Sequence, residues 1–148
     1  TQIEFIGVEA GGPNNSKLHA APLSRGAKLG VLHGAASYVC QNEDGQINET
    51  ESISAGLDYP GVSPIHCFLK DTKRAKYTYA TDEEALEAYK LVTKFEKLNP
   101  SLEPSHAFAE AIKIAPKLKK DNIIIVNSCG DAKKDRDILK KKLGNKYE

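Results

Sequence analysis

The sequence predicts an α/β fold, three layers deep with a mostly parallel central sheet, and three observations carry that prediction. Ile3 to Val8 and Ala75 to Ala80 are short runs of strand-forming residues. Between Thr81 and Ala115 apolar residues recur at helical spacing, in two segments separated by Asn99-Pro100. Ile123-Ile124-Ile125-Val126 is β-branched without alternation, the pattern of a strand covered on both faces. Strand, helices, strand and helix in that order build a parallel sheet with helices packed on it.

Ile3-Glu4-Phe5-Ile6-Gly7-Val8-Glu9 reads as the first strand, and Gly11-Gly12-Pro13-Asn14-Asn15 stops it. Residues 13 to 30 show no clean period and read as a long ordered loop. Leu32 to Cys40 is apolar, and the Asp44-Gly45 turn signal before Gln46-Ile47 predicts a hairpin there. Ser52 to Gly61 is small and glycine-rich, which permits close backbone approach to a neighbour. Ala75 to Ala80 is the next strand. Thr81-Asp82-Glu83-Glu84 is a capping box: the Thr81 hydroxyl takes a first-turn N–H and Glu84 reaches back. Ala85, Ala88, Tyr89, Val92 and Phe95 then mark one helical face. Pro104 is placed at the first position of the next helix, where its missing N–H costs nothing. Ala107, Phe108, Ala111, Ile112 and Ala115 continue that helix until Pro116. Ile138, Leu139 and Leu143 belong to a last, Lys-rich helix.

A chain of 148 residues fits a single α/β domain over 1–148 and is long enough to bury a real core. It contains no Met and opens Thr1-Gln2 directly before an apolar run, so it is expected to be part of a longer polypeptide. Lys+Arg 21 against Asp+Glu 20 gives a net charge of +1, which removes bulk attraction to nucleic acid or to a membrane surface. No apolar run reaches the roughly 18 to 20 residues that span a bilayer. Cys40, Cys67 and Cys129 form no C-x-x-C pair, which argues for a reducing, cytoplasmic setting. His66-Cys67 lacks the partners of a zinc site.

In parallel sheets ligands bind outside the carboxyl ends of the strands. That directs attention to Glu9-Ala10-Gly11-Gly12, to Thr81-Asp82 and to Asn127-Ser128-Cys129-Gly130-Asp131. Ordinary turn chemistry is the competing reading of all three.

Asp44-Gly45-Gln46-Ile47, followed by Ser52-Ile53-Ser54-Ala55-Gly56-Leu57-Asp58-Tyr59-Pro60-Gly61-Val62-Ser63-Pro64, makes the sequence specific. It resembles the β chain of tryptophan synthase, whose signature runs D-G-Q-I, a gap, then S-I-S-A-G-L-D-[FY]-P-x-V-x-P. The likeness extends through Gly7-Val8-Glu9, His19-Ala20-Ala21-Pro22-Leu23, Thr81 to Leu86, Leu102-Glu103, Ser105-His106-Ala107 and Val126-Asn127. It covers nearly all of this chain and the C-terminal part of the family's chain.

The resemblance implies a piece of a fold-type II pyridoxal-phosphate enzyme that joins L-serine and indole into L-tryptophan with loss of water. It implies a β-chain homodimer and an α subunit or α domain that supplies indole. Asp58 matches the acid that engages the substrate hydroxyl. Glu103 matches the carboxylate beside the cofactor that handles protons at the leaving hydroxyl and at indole, as general acid–base chemistry requires for so poor a leaving group. Gly56 is expected against the cofactor. The backbone carbonyls of Tyr59 and Gly61 match positions that hold a monovalent cation. Cys129 falls where the family places a Ser on the pyridine nitrogen, and a thiol is the weaker donor there.

Three departures stand beside these matches. Gly130-Asp131-Ala132-Lys133-Lys134-Asp135 replaces the family's G-R-G-D-K-D; Leu32-His33 replaces an aromatic pair that lines the indole tunnel; and Pro104 replaces a Ser. The family's Schiff-base lysine and glycine-rich phosphate loop lie upstream of the matched region, so the isolated piece is expected to be inactive. A noncatalytic α/β module that binds a small ligand or a partner is the alternative.

Overall fold

The computed structural model describes residues 3–144. Strand β1 (Phe5–Ala10) carries its burial toward its carboxyl end, where Glu9 and Ala10 are buried. Strands β2 (Lys28–Leu32) and β3 (Ala35–Val39) form an antiparallel hairpin, Lys28 opposite Val39 and Leu32 opposite Ala35. Helix α1 (Pro64–Asp71) follows, then strand β4 (Ala75–Ala80), which pairs in parallel with β1 from Phe5↔Ala75 to Ala10↔Ala80. Helices α2 (Asp82–Glu96) and α3 (Leu102–Ile114) pack on each other, and α3 lies against both β1 and β4. Two 3₁₀ turns, Ala115–Lys117 and Ala132–Asp135, precede the final helix α4 (Arg136–Leu143). The architecture is α/β with a parallel sheet and helices, as the sequence implied; the parallel sheet is two-stranded among the described residues.

The capping box forms as expected. The Thr81 hydroxyl accepts the Glu84 N–H at 3.3 Å, and Glu84 Oε2 accepts the Thr81 N–H at 2.9 Å. Helix α3 begins at Leu102, two residues before the expected start, so Pro104 sits third. That position is still in the first turn, where a backbone N–H has no partner within the helix.

The hairpin forms one turn earlier in the chain than Asp44-Gly45 suggested. His33 (φ 51°) and Gly34 (φ 77°) make its two-residue turn with both φ positive, which matches the twist of the flanking strands. Asp44-Gly45 also turns the chain, but only a single bridge, Gln41↔Ile47, closes it. Helix α1, absent from the sequence reading, starts at a Ser-Pro pair: the Ser63 hydroxyl accepts the Ile65 N–H at 3.3 Å and Pro64 opens the first turn.

The expected strand at Ile123–Val126 does not form. Ile123 and Ile125 are 87% and 90% exposed, although their composition suits a strand covered on both faces. A strand needs a neighbour for its backbone, and among the described strands β1 and β4 pair with each other, while Ala10 alone bridges Ala20. The segment is held at its ends instead, where Asn122 N–H donates to the Lys119 carbonyl and Ser101 N–H donates to the Gly130 carbonyl, each at 3.0 Å.

Two apolar clusters hold the fold. Ala80, Ala88 and Ala109, with Val8 and Phe108, let α2 and α3 approach the sheet closely. Ile53, Tyr89, Leu102, Ala132 and Leu139 form the second, with Leu86, Ile138 and Leu143 around it. This second cluster joins the Ser52–Val62 segment, both long helices and the C-terminal helix at one place. Among the described residues no helix is long and apolar enough to cross a membrane.

Candidate active site

The second cluster sets Glu103 against the signature segment. Ile53 is buried within it, and the Ile53 N–H donates to the buried Asp82 carboxylate at 3.1 Å. Burial pushes the Asp82 carboxyl above its ordinary range, opposed by that hydrogen bond. Ser54 is fully buried, and its carbonyl accepts the N–H groups of Leu57 (3.1 Å) and Asp58 (3.0 Å), curling the segment into a turn. The curl aims the Gly56 N–H at Glu103 Oε1, 2.9 Å away. A Cβ at Gly56 would collide with that same oxygen, so the close approach requires glycine there.

The other side of Glu103 is closed by the C-terminal 3₁₀ turn. Lys134 Nζ lies 2.6 Å from Oε1 and 3.5 Å from Asp135 Oδ1. Asp135 is buried, and its Oδ2 accepts the Leu102 N–H at 2.8 Å, capping α3 from a distant part of the chain. Burial alone would raise the pKa of Glu103. The Lys134 ammonium outweighs it, helped by the residue's own backbone N–H and the hydroxyls of Ser101 and Ser54, and the carboxyl is held down to about 2. Lys134 is in turn held more firmly protonated by the carboxylate. Oε1 thus has two donors, the Gly56 N–H and the Lys134 ammonium, and Oε2 is buried.

His106, one turn further along α3, is fully buried and gives its Nδ1 proton to the Leu102 carbonyl at 2.8 Å. Burial lowers its pKa, so it stands as a neutral ring whose Nε2 has no partner among the described residues.

Of the residues singled out in the sequence, Gly56 and Glu103 touch. Asp58 is exposed on the same turn, and its carboxylate takes no hydrogen bond or ion pair among the described residues. Cys129 is exposed and precedes Gly130, which is fixed to the start of α3; a Cβ on Gly130 would lie 2.6 Å from Ser101 Oγ. Beyond Asp58 the chain bridges Gly61 to Val39, using the Pro60 carbonyl, which accepts the Cys40 N–H at 2.7 Å. The carbonyls of Tyr59 and Gly61 remain outside that pairing. The Tyr59 hydroxyl lies 2.6 Å from His33 Nδ1, so this bond ties the hairpin turn to the signature segment.

The ends of β1 and β4 make ordinary turn contacts. Glu9 accepts the N–H groups of Leu23 (3.0 Å) and Ser24 (2.6 Å), and burial raises its pKa. Gly11 N–H donates to the Ala80 carbonyl, and Gly12 O accepts the Asp82 N–H. The departure at Asp131-Ala132 is also structural: Ala132 is fully buried in the second cluster, and Asp131 caps the 3₁₀ turn by accepting the Lys133 N–H at 2.9 Å. Lys134, Asp135, Ser54 and Ser101 were not singled out in the sequence. Their signal was faint, because each acts through a contact with a residue remote in the chain or unpaired in sequence.

Gly56 leaves room beside the Glu103 carboxylate, whose Oε2 is buried, and the Cys129 thiol is exposed.

No family model matches the chain. Curated relatives do. The chain is similar to the tryptophan synthase beta chain of Ruegeria pomeroyi, 53% identical over 146 residues, covering 97% of this chain and 35% of the relative. It is similar to that of Chromobacterium violaceum, 54% identical over 134 residues, covering 90% and 34%. The match to that of Bordetella petrii is 50% over 146 residues, covering 98% and 36%. Identity of this order along almost the whole chain leaves one assignment: the chain belongs to the tryptophan synthase beta chain family and spans about a third of the length of those relatives.

Proposed function

We propose that these residues form one wall of the active site of a tryptophan synthase beta chain, as the C-terminal part of a longer polypeptide. That polypeptide replaces the hydroxyl of L-serine with indole to give L-tryptophan and water. The observation that carries the proposal is the state of Glu103: one carboxylate oxygen clamped by Gly56 and Lys134, the other buried. A carboxylate fixed in this way is oriented before substrate arrives, which is what proton transfer at a defined atom requires.

Pyridoxal phosphate, when bound, supplies the electron sink that makes the serine hydroxyl able to leave. Cys129 would stand at its ring nitrogen and Gly56 beside Glu103, while a lysine and a phosphate loop outside these residues anchor it. Glu103 rests as the base, held there by Lys134. In the first half of the reaction the proton released from serine Cα would reach the departing hydroxyl through Glu103, leaving as water; in the second half the ionised form would take the proton that indole loses as its carbon bonds to the substrate. Asp58, exposed on the Gly56 turn, engages the substrate hydroxyl as the segment closes. The carbonyls of Tyr59 and Gly61, outside the bridge to β3, contribute to a monovalent-cation site. The α subunit or domain that delivers indole and the pairing of β chains complete the assembly.

The test is Glu103→Gln in the full-length protein. Serine and cofactor binding are retained, and elimination of the serine hydroxyl slows by about 10² to 10⁴-fold. Tryptophan synthesis at the parent rate would remove Glu103 from the chemistry.

A further inference from the structure

Asp82 is buried at the start of α2, and among the described residues its carboxylate forms no ion pair. Burying a carboxylate without a cation beside it is costly. The helix itself does not need the burial: Thr81 and Glu84 already cap it, and an exposed acid in the first turn would favour its dipole equally well. What the Asp82 carboxylate holds is the Ile53 N–H, 3.1 Å away and 29 positions back in the chain.

That bond fixes one end of the signature segment. The Asp82 N–H donates to the Gly12 carbonyl at 3.0 Å, which ties the start of α2 to the turn after β1. Gly12, at φ 73°, lets the backbone before Ile53 pass close by, since a Cβ there would lie 3.0 Å from the Glu51 carbonyl oxygen. The other end is fixed on the hairpin. Cys40 N–H donates to the Pro60 carbonyl at 2.7 Å, and the Ser37 hydroxyl donates to the Val62 carbonyl at 2.6 Å. Between these anchors Ala55, Gly56, Asp58 and Tyr59 are exposed. The Leu57 and Asp58 N–H groups both hang on the carbonyl of Ser54, the residue directly after Ile53. The place of Ile53 therefore sets the place of the turn and of Asp58 on it.

We propose that Asp82 is a positioning residue for Asp58: it holds the Ile53 N–H, and through Ser54 the turn from which Asp58 reaches the substrate. The inference rests on the reading of Asp58 as the group that engages the serine hydroxyl. A positional role and a charge role at Asp82 predict opposite orders of variants. Asparagine keeps an acceptor oxygen in the same place and loses the charge. Glutamate keeps the charge and carries the acceptor one methylene further out. Position favours asparagine, and the helix dipole favours glutamate.

The experiment uses full-length protein with Asp82→Ala, Asp82→Asn and Asp82→Glu. Thr81→Ala is the control, because it removes the α2 cap without touching Ile53. Amide exchange of the segment from Ile53 to Asp58 is read by mass spectrometry, and serine kinetics are measured well below the melting temperature. Asp82→Ala and Asp82→Glu speed exchange of the segment by about threefold to tenfold, the size of one lost hydrogen bond. They lower kcat/KM for serine by about 10- to 100-fold, as displacement of a positioned group does. Asp82→Asn and Thr81→Ala keep both within about twofold. In an Asp58→Ala background, Asp82→Ala brings no further kinetic loss, because it acts through Asp58.

Parent-like exchange and kinetics in Asp82→Ala overturn the proposal, as does an equal kinetic loss in Thr81→Ala or a full further loss in the Asp58→Ala background. Should Asp82→Ala not fold, asparagine against glutamate decides, and a glutamate variant that outperforms asparagine makes Asp82 a dipole residue only. If Asp58→Ala keeps parent serine kinetics while the Asp82 variants still loosen the segment, the reading of Asp58 fails and the anchoring of its turn stands.

Discussion

The ammonium of Lys134 lies 2.6 Å from Oε1 of Glu103, bringing the C-terminal 3₁₀ turn onto the start of α3. The two residues are 31 positions apart, and the intervening chain includes the exposed Ile123–Val126 segment. Through this contact the C-terminal turn acts on the charge of the proposed acid–base group.

Lys134→Met should therefore weaken the fold in a pH-dependent way. The folded-state pKa of Glu103 is depressed, from 4.5 to about 2. Its contribution is present above about pH 4.5 and is lost as pH falls through about 2. Lys134 is half exposed, so solvent screening limits the effect to at most roughly 1 kcal/mol at neutral pH. Melts of parent and variant at about pH 7 and about pH 2.5 provide the check. The gap should narrow in acid, and equal stability at neutral pH would make the contact an ordinary surface pair.

Asp135→Ala should cost more than its place in a Lys-rich, exposed stretch suggests. Its Oδ2 is the acceptor for the Leu102 N–H at the start of α3, and the carboxylate is buried. Losing a buried, charge-assisted cap costs about 1.5 to 3 kcal/mol. Asp137, two residues on and exposed, serves as the comparison: its alanine variant should stay within about 0.5 kcal/mol. Urea denaturation of both variants measures the difference. Similar losses would show that Asp135 stabilises by charge alone.

The three thiols should react in a fixed order. Cys129 is exposed, whereas Cys40 and Cys67 are buried. Burial, then the nearby Glu9 charge, pushes the Cys40 thiol up to about 11. At about pH 8 only roughly one part in a thousand of it is thiolate, and thiolate is the reactive form. Brief alkylation of the folded 148-residue chain, read by peptide mass spectrometry, should label Cys129 well before Cys40. Early labelling of Cys40 would mean that the turn around His19 and Glu9 opens.

The sequence by itself determined the local elements whose cause is local. Thr81 and Glu84 are three residues apart and cap each other; Ala75 to Ala80 alternates; and the helical faces of α2 and α3 repeat at 3.6 residues. The resemblance, through Ser52 to Pro64 and Leu102-Glu103, also pointed to Gly56, Asp58 and Glu103 as candidate site residues. The hairpin was misplaced because Asp44-Gly45 and His33-Gly34 are both competent turns, and pairing of the arms chose between them. The Ile123–Val126 run has the composition of an interior strand, but strand formation depends on a neighbour's backbone and not on composition. Only the tertiary structure decided what surrounds Glu103. Gly56, Ser54, Ser101 and Lys134 meet there because the Ile53–Leu102–Leu139 cluster folds three distant segments onto one point. A carboxylate's working pKa is set by those neighbours, and their distance from it in space is unrelated to their spacing in the chain.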